Sequence, residues 1–139
     1  MRVYADRVEE LDDILSDVTG FKLDREEIGS CRDEHVAAAM TDADWDRFNA
    51  FWRTRPPEWK QCFATLLGDL STTRAEAWLL ELIETESDEL ALVAVESYRS
   101  QRGRIPISAS AADRIRALWR KHTRFTIRQI DELVADMTR

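Results

Sequence analysis

The sequence predicts an all-α fold of about seven to eight helices arranged as stacked antiparallel hairpins. Its composition is dominated by Ala, Leu, Glu, Arg and Asp, which suit helices. Four Gly and three Pro in 139 residues leave little material for the many turns of an all-β fold. Apolar residues also recur every three or four positions along most of the chain. With 44% apolar residues, the length predicts one folded domain covering residues 1–139.

The N-terminal part predicts one clear helix and one short helix. Residues 5–18 form the first, because one apolar stripe recurs at helical spacing through Tyr4, Val8, Leu11, Leu15 and Val18. Gly20 follows the stripe, where a helix C-cap glycine is expected. Residues 19–30 carry no clear pattern, and a short helix is predicted for residues 32–40.

Thr41 and Asp44 have the spacing of a capping box, so a helix is predicted for residues 42–53. It carries Trp45, Phe48, Phe51 and Trp52 on one side. Pro56 ends this helix, and Pro57 suits the first turn of the next, which is predicted for residues 57–70. The five tryptophans, here and further along, lie at core spacing and are expected to be buried: Trp45, Trp52, Trp59, Trp78 and Trp119.

Four more helices are predicted after residue 70. Thr73 and Glu76 have capping-box spacing and begin a helix that ends near residue 85, and Ser87 begins another that ends near residue 100. Residues 101–107 form a loop that contains a Gly and a Pro. Ser110 and Asp113 are predicted to cap a helix that ends near residue 122, and residues 125–137 form the last helix. Because the connections are short, successive helices are expected to be antiparallel neighbours.

The pattern over residues 57–98 resembles HEAT-repeat proteins. Its first helix ends in Leu67-Gly68, a tight turn follows, and the next helices are rich in leucine (Trp78-Leu79-Leu80) and in alanine (Val93-Ala94-Val95). The resemblance implies helical pairs over residues 41–139, capped by helices in residues 1–40. A compact bundle without repeats is the alternative.

Metal and catalytic motifs are missing from the sequence. His35 and His122 are the only histidines, and the pair Cys31 and His35 finds no further ligands for tetrahedral zinc. There is no glycine-rich phosphate loop and no nucleophile elbow. We therefore expect no metal, no cofactor and no enzymatic activity. With 27 Asp and Glu, a carboxylate hydrolase stays an alternative, which predicts a deep cleft holding two acids.

Asp42, Asp44 and Asp46 alternate as in a calcium-binding loop, but the rest of that loop is missing. Arg47 stands where the loop needs glycine, and Arg53 stands where it needs glutamate. The three aspartates are better interpreted as acids at a helix N-terminus, where the helix dipole favours them.

The sequence has no apolar run long enough to cross a membrane, and its start lacks the apolar region of a signal peptide. We therefore expect a cytoplasmic protein without membrane contact. Cys31 and Cys62 are the only cysteines, and both are interpreted as buried free thiols, although a bridge between them stays open.

Charge is unevenly distributed along the chain, whose net charge is −7. Residues 1–98 contain 10 Lys and Arg against 23 Asp and Glu, whereas residues 99–139 contain 10 against 4. No basic residue lies between Arg74 and Arg99. That interval contains an acidic stretch of seven residues, namely Glu76, Glu81, Glu84, Glu86, Asp88, Glu89 and Glu96.

This acidic stretch is the predicted docking surface for a basic protein, because complementary charge speeds association and fixes the register of binding. Leu80 would serve as an apolar anchor within the acidic rim. The predicted partner-binding residues are Glu76, Leu80, Glu81, Glu84, Glu86, Asp88 and Glu89. The alternative is that basic residues of the last helices neutralise these acids internally, from Arg114, Arg116, Arg120, Lys121, Arg124 and Arg128. Nucleic acid is excluded as a partner, because phosphate would be repelled.

Small acidic helical proteins with HEAT-like pairs resemble the immunity proteins of bacterial contact-dependent and secreted toxin systems. The resemblance implies that the chain neutralises a cognate basic toxin, commonly a nuclease domain, by stoichiometric occlusion of its active site. The alternative is a scaffold or adaptor domain without a toxin partner, including one that self-associates through its acidic and basic ends.

Overall fold

The computed structural model describes residues 3–101, 105–122 and 134–135. These residues contain eight α-helices, one π-helix, one 3-10 turn and no strand, which confirms the all-α prediction. The α-helices are α1 Arg7–Ser16, α2 Val18–Lys22, α3 Arg32–Ala38, α4 Asp42–Asn49, α5 Pro57–Asp69, α6 Thr73–Thr85, α7 Asp88–Tyr98 and α8 Ala109–His122. Within the described residues, no helix is both long and apolar enough to cross a bilayer.

The chain divides into two compact units, unit 1 (Met1–Leu66) and unit 2 (Leu67–Arg139), and the boundary falls within α5. The predicted single domain, with its change from capping helices to helical pairs at residue 40, stays a prediction. The predicted stacking of helical pairs also stays a prediction. The last predicted helix lies outside the described residues except for Val134 and Ala135, which are helical.

In unit 1, α1 begins two residues later than predicted, because Asp6 is its N-cap and accepts a hydrogen bond from the Glu9 N–H at 3.0 Å. The predicted apolar stripe is confirmed for Val8, Leu11 and Leu15, which are buried, whereas Tyr4 and Val18 are half-buried and lie outside α1. α1 packs against α2, α3 and α4, so it is the central helix of the N-terminal part of this unit.

The assignment of Gly20 as a helix C-cap is wrong. Asp17 ends α1 and also caps α2, where its carboxylate accepts a hydrogen bond from the Gly20 N–H at 3.1 Å. Gly20 therefore lies inside the second helix, and a Cβ at this position would overlap the Asp17 carboxylate. A π-helix, Leu23–Ile28, follows directly, and Gly29 ends it with a left-handed φ of 72°.

The capping box of α4 is confirmed. The Thr41 hydroxyl accepts from the Asp44 N–H at 3.2 Å, and the Asp44 carboxylate accepts from the Thr41 N–H at 3.0 Å. The helix is shorter than predicted, because it ends at Asn49 and is followed by a 3-10 turn, Trp52–Thr54. Aromatic rings from α4, this turn and α5 pack together with centroids 4.9–5.6 Å apart.

The prediction for the five tryptophans is confirmed, since all five are buried. The two cysteines are both free, but only Cys62 is buried, while Cys31 is half-buried. Burial raises the pKa of the Cys62 thiol to about 11, and the hydrogen bond between Cys31 and Glu34 raises the pKa of Cys31. Neither thiol is therefore a ready thiolate nucleophile at neutral pH.

In unit 2, α6 contacts both α7 and α8, and α7 contacts α8. Two predicted caps are displaced. Thr72, and not Thr73, caps α6, because its hydroxyl accepts from the Ala75 N–H at 3.1 Å. Ser108, and not Ser110, caps α8 by accepting from the Ala111 N–H at 3.1 Å. Ser87 occupies the N-cap position of α7, as predicted.

Gly68 marks a close approach inside unit 2. A Cβ at Gly68 would lie 2.8 Å from the Cβ and 3.1 Å from the Cα of Ser97 in α7. The carbonyl of Gly68, at the end of α5, accepts hydrogen bonds from the Ser100 hydroxyl at 2.8 Å and the Gln101 amide at 3.1 Å. The glycine in the predicted Leu67-Gly68 helix end therefore allows two backbones to meet.

Candidate protein-binding surface

The predicted partner-binding residues of α6 and α7 differ widely in exposure. Glu84 and Glu89 are exposed, whereas Leu80, Glu81, Glu86 and Asp88 are half-buried and Glu76 is buried. The sequence therefore located a real acidic stretch, but only part of it faces outward.

The assignment of Glu76 to the partner-binding site is wrong, because its exposed fraction is 0% and no partner can reach it. The displaced cap explains the error. With Thr72 as N-cap, Glu76 is the fourth residue of α6 and faces the interior instead of reaching back to the helix start. It lies near Tyr98, whose pKa is raised first by burial and then by the charge of Glu76.

Asp88 is held by two basic residues of α8. Its carboxylate accepts from the Arg114 guanidinium and from the Lys121 ammonium, each at 3.0 Å. Arg114 also donates to the backbone carbonyl of Glu86 at 3.0 Å. Internal neutralisation, which the sequence left open, therefore occurs at the start of α7.

Glu84 is also engaged within unit 2. Its carboxylate accepts hydrogen bonds from the hydroxyls of Ser108, at 3.0 Å, and Ser110, both at the start of α8. Glu96 pairs with Arg99 one turn later at 3.3 Å. Of the predicted exposed acids, Glu89 is the one with no ion pair or hydrogen bond to another side chain within the described residues.

Arg114 and Lys121 thus act as predicted by the internal alternative, while the other basic residues are divided. Arg116 pairs with Asp113 at 3.3 Å on the same helix, and Arg120 is exposed. Arg124 and Arg128 lie outside the described residues. Unit 2 as a whole contains 11 Lys and Arg against 12 Asp and Glu, so it is close to electrically balanced.

Unit 1 is far from balanced, with 9 Lys and Arg against 15 Asp and Glu and a net charge of −6. Five of its arginines already pair with carboxylates within the unit. The pairs are Arg7 with Glu10 at 3.7 Å, Arg25 with Asp33 at 2.8 Å, Arg32 with Asp24 at 3.6 Å, Arg47 with Asp6 at 2.8 Å, and Arg55 with Asp12 at 2.7 Å. The remaining acids therefore have few cations left to neutralise them.

Two of these pairs are structural. Asp33 is 1% exposed, and burial raises its pKa despite the Arg25 guanidinium beside it, which acts to lower it. The Asp12 carboxylate accepts two hydrogen bonds from the Arg55 guanidinium and a third from the indole N–H of Trp59 at 2.9 Å. The bond to Trp59 links α1 to α5. These acids hold unit 1 together and are not available to a partner.

Three exposed carboxylates of unit 1 have neither an ion pair nor a hydrogen bond within the part of the chain that the structure describes. They are Glu26 and Glu27 on the π-helix and Glu58 on α5. Asp42 and Asp46, which the sequence analysis assigned to the start of a helix, are also exposed on α4. Among the described residues, exposed carboxylates without an ion pair or hydrogen bond are therefore more numerous in unit 1 than in unit 2, where Glu89 is the one so placed.

A small polar cleft of about 50 Å³ also lies in unit 1. Three carboxylates line it, from Asp13, Asp17 and Asp24, and Arg32 is the one cation among its lining residues. Each acid already has a partner, since Asp13 accepts from the Tyr4 hydroxyl at 2.8 Å, Asp17 caps α2 and Asp24 pairs with Arg32. Among the described residues, no group of three His, Cys, Asp or Glu side chains is arranged to hold a metal ion.

Comparison with known proteins finds no matching family model, no similar curated protein and no similar solved structure.

What the geometry offers chemically is therefore a charged surface on a helical unit. Exposed carboxylates attract cations over about 8 Å at physiological salt, which suits the capture of a basic protein surface. The sequence lacks a marker for this site, because exposure depends on which acids the arginines of unit 1 engage. Counting charged residues separately for residues 1–66 and 67–139, instead of 1–98 and 99–139, would have shown that the surplus of acidic residues lies in unit 1.

Proposed function

We propose that the chain is a helical protein-binding module that captures one basic protein through the acidic surface of unit 1. The observation that supports the proposal is the net charge of −6 in a unit whose arginines are largely engaged in internal ion pairs. Such a surface raises the association rate with a basic partner and repels nucleic acid.

The specific form of the proposal is an immunity protein that neutralises a cognate basic toxin, such as a nuclease. Exposed carboxylates would occupy the cationic groove in which the toxin holds nucleic-acid phosphates. Inhibition would follow from one-to-one occlusion, without any reaction at the bound surface. The support for this form is the resemblance in size, acidity and helical pattern set out from the sequence, together with the acid surplus of unit 1.

The test is a pull-down with the tagged full-length chain from the cells that produce it, washed first at low and then at high salt. We expect one basic protein in stoichiometric amount, released or weakened at high salt because the attraction is screened. If that protein cleaves nucleic acid, one equivalent of the chain is expected to stop the cleavage.

Three results would count against the proposal in whole or in part. Recovery of no protein at either salt concentration would remove partner capture altogether. Recovery of several proteins without a fixed ratio would instead favour the scaffold or adaptor alternative. Capture of one basic protein whose activity persists in the complex would keep the binding function and exclude the inhibitor form.

A further inference from the structure

We infer that the docking face for the basic partner is formed by α2 and the π-helix of unit 1, and that it binds a protein segment in which arginine or lysine flanks one apolar side chain. This inference rests on the proposed function and locates its contact surface. It moves the site away from the α6–α7 stretch that the sequence indicated.

The first observation is an exposed apolar side chain in an acidic setting. Leu23, the first residue of the π-helix, is 42% exposed. Within the described residues, the other large apolar side chain that is exposed is Val3, in the segment before α1. Leu23 is thus the exposed apolar anchor on a helix, and protein interfaces commonly place such anchors inside a polar rim.

The second observation is the charge around that anchor. Glu26 and Glu27 lie within the same six-residue π-helix as Leu23 and are exposed. No cation pairs with either carboxylate among the residues that the structure describes. Exposed Lys22 precedes Leu23 and is the one basic residue on the outer side of this segment, so two acids outnumber it.

The third observation is the neighbouring cleft. Asp24 belongs both to the π-helix and to the cleft lining, so the two features adjoin. Three carboxylates and one guanidinium line the cleft, so its lining is predominantly acidic. A guanidinium or ammonium group from a bound segment fits this charge, whereas a carboxylate or phosphate would be repelled.

Charge complementarity therefore selects the occupant. The face joins an apolar anchor, two outward carboxylates and an acid-lined cleft along one short helical segment. A basic protein segment with a single apolar side chain satisfies all three features at once. An acidic segment or a nucleic acid satisfies none of the charged ones, and a purely apolar peptide would leave the carboxylates uncompensated.

The test is an NMR titration of the isotope-labelled full-length chain with the synthetic peptide Arg-Arg-Leu-Arg-Arg, blocked at both ends. Glu-Glu-Leu-Glu-Glu is the matched control peptide. We expect saturable shifts of backbone amides that cluster at residues 13–27 with the basic peptide and no saturable shifts with the acidic one. Leu23→Ser and the double variant Glu26→Lys/Glu27→Lys should each weaken the basic peptide at least about fivefold.

The control variant Glu89→Lys/Glu96→Lys carries the same charge change at exposed residues of unit 2 and should alter the affinity less than about twofold. Saturable shifts that cluster on α4, α6 or α7 would overturn the docking face and leave partner capture intact. An equal loss of affinity in both double variants would also overturn it, since net charge alone would then explain binding. No saturable shift at any residue would overturn the docking face, whereas capture of a whole basic protein is decided separately by the pull-down.

Discussion

Units 1 and 2 differ in how far their own basic residues neutralise their acidic residues. In unit 2, Asp88 and Glu84 are held by the basic and hydroxyl groups of α8, and the total charge nearly cancels. In unit 1, most arginines are already engaged, yet a net charge of −6 remains. The difference teaches that the longest acidic run in a sequence need not be the most acidic surface, because basic residues from a later helix can neutralise it.

The units also build their cores differently. In unit 1, four aromatic rings pack around Phe48 and Phe63, namely Trp45, Phe51, Trp52 and Trp59. Unit 2 is mostly aliphatic, with Leu79, Leu82, Ile83 and Leu90 fully buried. Within the aromatic cluster, Phe48 contacts four of the other five rings.

The largest expected effect comes from removing the centre of the aromatic cluster. Phe48 is fully buried and packs against Trp45, Phe51, Trp59 and Phe63. Phe48→Ala should lower the free energy of unfolding by about 3–5 kcal/mol, measured by urea denaturation. Paired with Phe63→Ala, the loss should be less than additive because the two rings share a contact. A loss below about 1 kcal/mol for Phe48→Ala would contradict the central place of Phe48 in the core of unit 1.

The next effect compares two glycines, one in each unit. Gly68→Ala should destabilise by about 1–3 kcal/mol, because the new Cβ would lie 2.8 Å from the Cβ and 3.1 Å from the Cα of Ser97 in α7. Gly29→Ala meets no atom within 4 Å, and its cost of about 1 kcal/mol comes from the left-handed φ alone. Compared with Ser97→Gly alone, Gly68→Ala should cost less in the Ser97→Gly background, because the contact with the Ser97 Cβ is gone, whereas the cost of Gly29→Ala should be the same in both backgrounds. A lack of rescue would mean that the close approach is not what requires the glycine.

A smaller effect tests the internal neutralisation in unit 2. Asp88→Asn removes both ion pairs with α8 and should cost about 0.5–1 kcal/mol, because the three side chains are partly exposed to solvent. The loss should shrink in 0.5 M salt, by about half or more, as screening weakens the wild-type pairs. The neighbouring variant Glu89→Gln, at an exposed position without such pairs, should change thermal stability by less than half as much. Equal losses of stability in Asp88→Asn and Glu89→Gln would show that the ion pairs between Asp88 and α8 do not stabilise unit 2.

The smallest effect concerns an ion pair of unit 1 and its pH dependence. The hydrogen bond from the Glu9 N–H, followed by the Arg47 guanidinium, holds the pKa of Asp6 below its usual value. A lowered folded-state pKa stabilises the fold above the unfolded pKa near 3.8, and this is lost as pH falls through the folded value. Asp6→Asn keeps a helix cap, so its melting temperature should fall slightly at pH 7 and match wild type near pH 2. A difference that persists at low pH would contradict the charge-based origin.

Local rules predicted the helices well where a signal lay within a few residues. The Thr41–Asp44 capping box and the apolar stripes needed no information from distant parts of the chain. The errors arose where two local signals competed. Thr72 and Thr73 are adjacent candidates for one cap, and the choice between them decides whether Glu76 faces outward. The π-helix, with its wider turn, had no periodic signature to recognise.

The candidate site was less predictable, because pairing joins residues that are far apart in sequence. Asp88 pairs with Arg114 and Lys121, which lie 26 and 33 positions later in the chain. Asp12 pairs with Arg55, which lies 43 positions later. Composition gave the surplus of acid, but only the division at residue 66 assigned that surplus to unit 1. Sequence patterns could therefore predict an acidic protein with a helical fold. They could not predict which of its carboxylates are exposed and not engaged by other residues of the protein.

The most direct test of the central claim is to compare two charge reversals of equal size in the pull-down of the basic partner. Glu27→Lys/Glu58→Lys changes exposed acids of unit 1, and Glu89→Lys/Glu96→Lys changes exposed acids of unit 2. At low salt, we expect the unit 1 variant to recover the partner at least about tenfold less than wild type and the unit 2 variant to recover it within about twofold. Equal recovery by the unit 1 variant and wild type, or a greater loss in the unit 2 variant, would contradict the assignment of binding to unit 1.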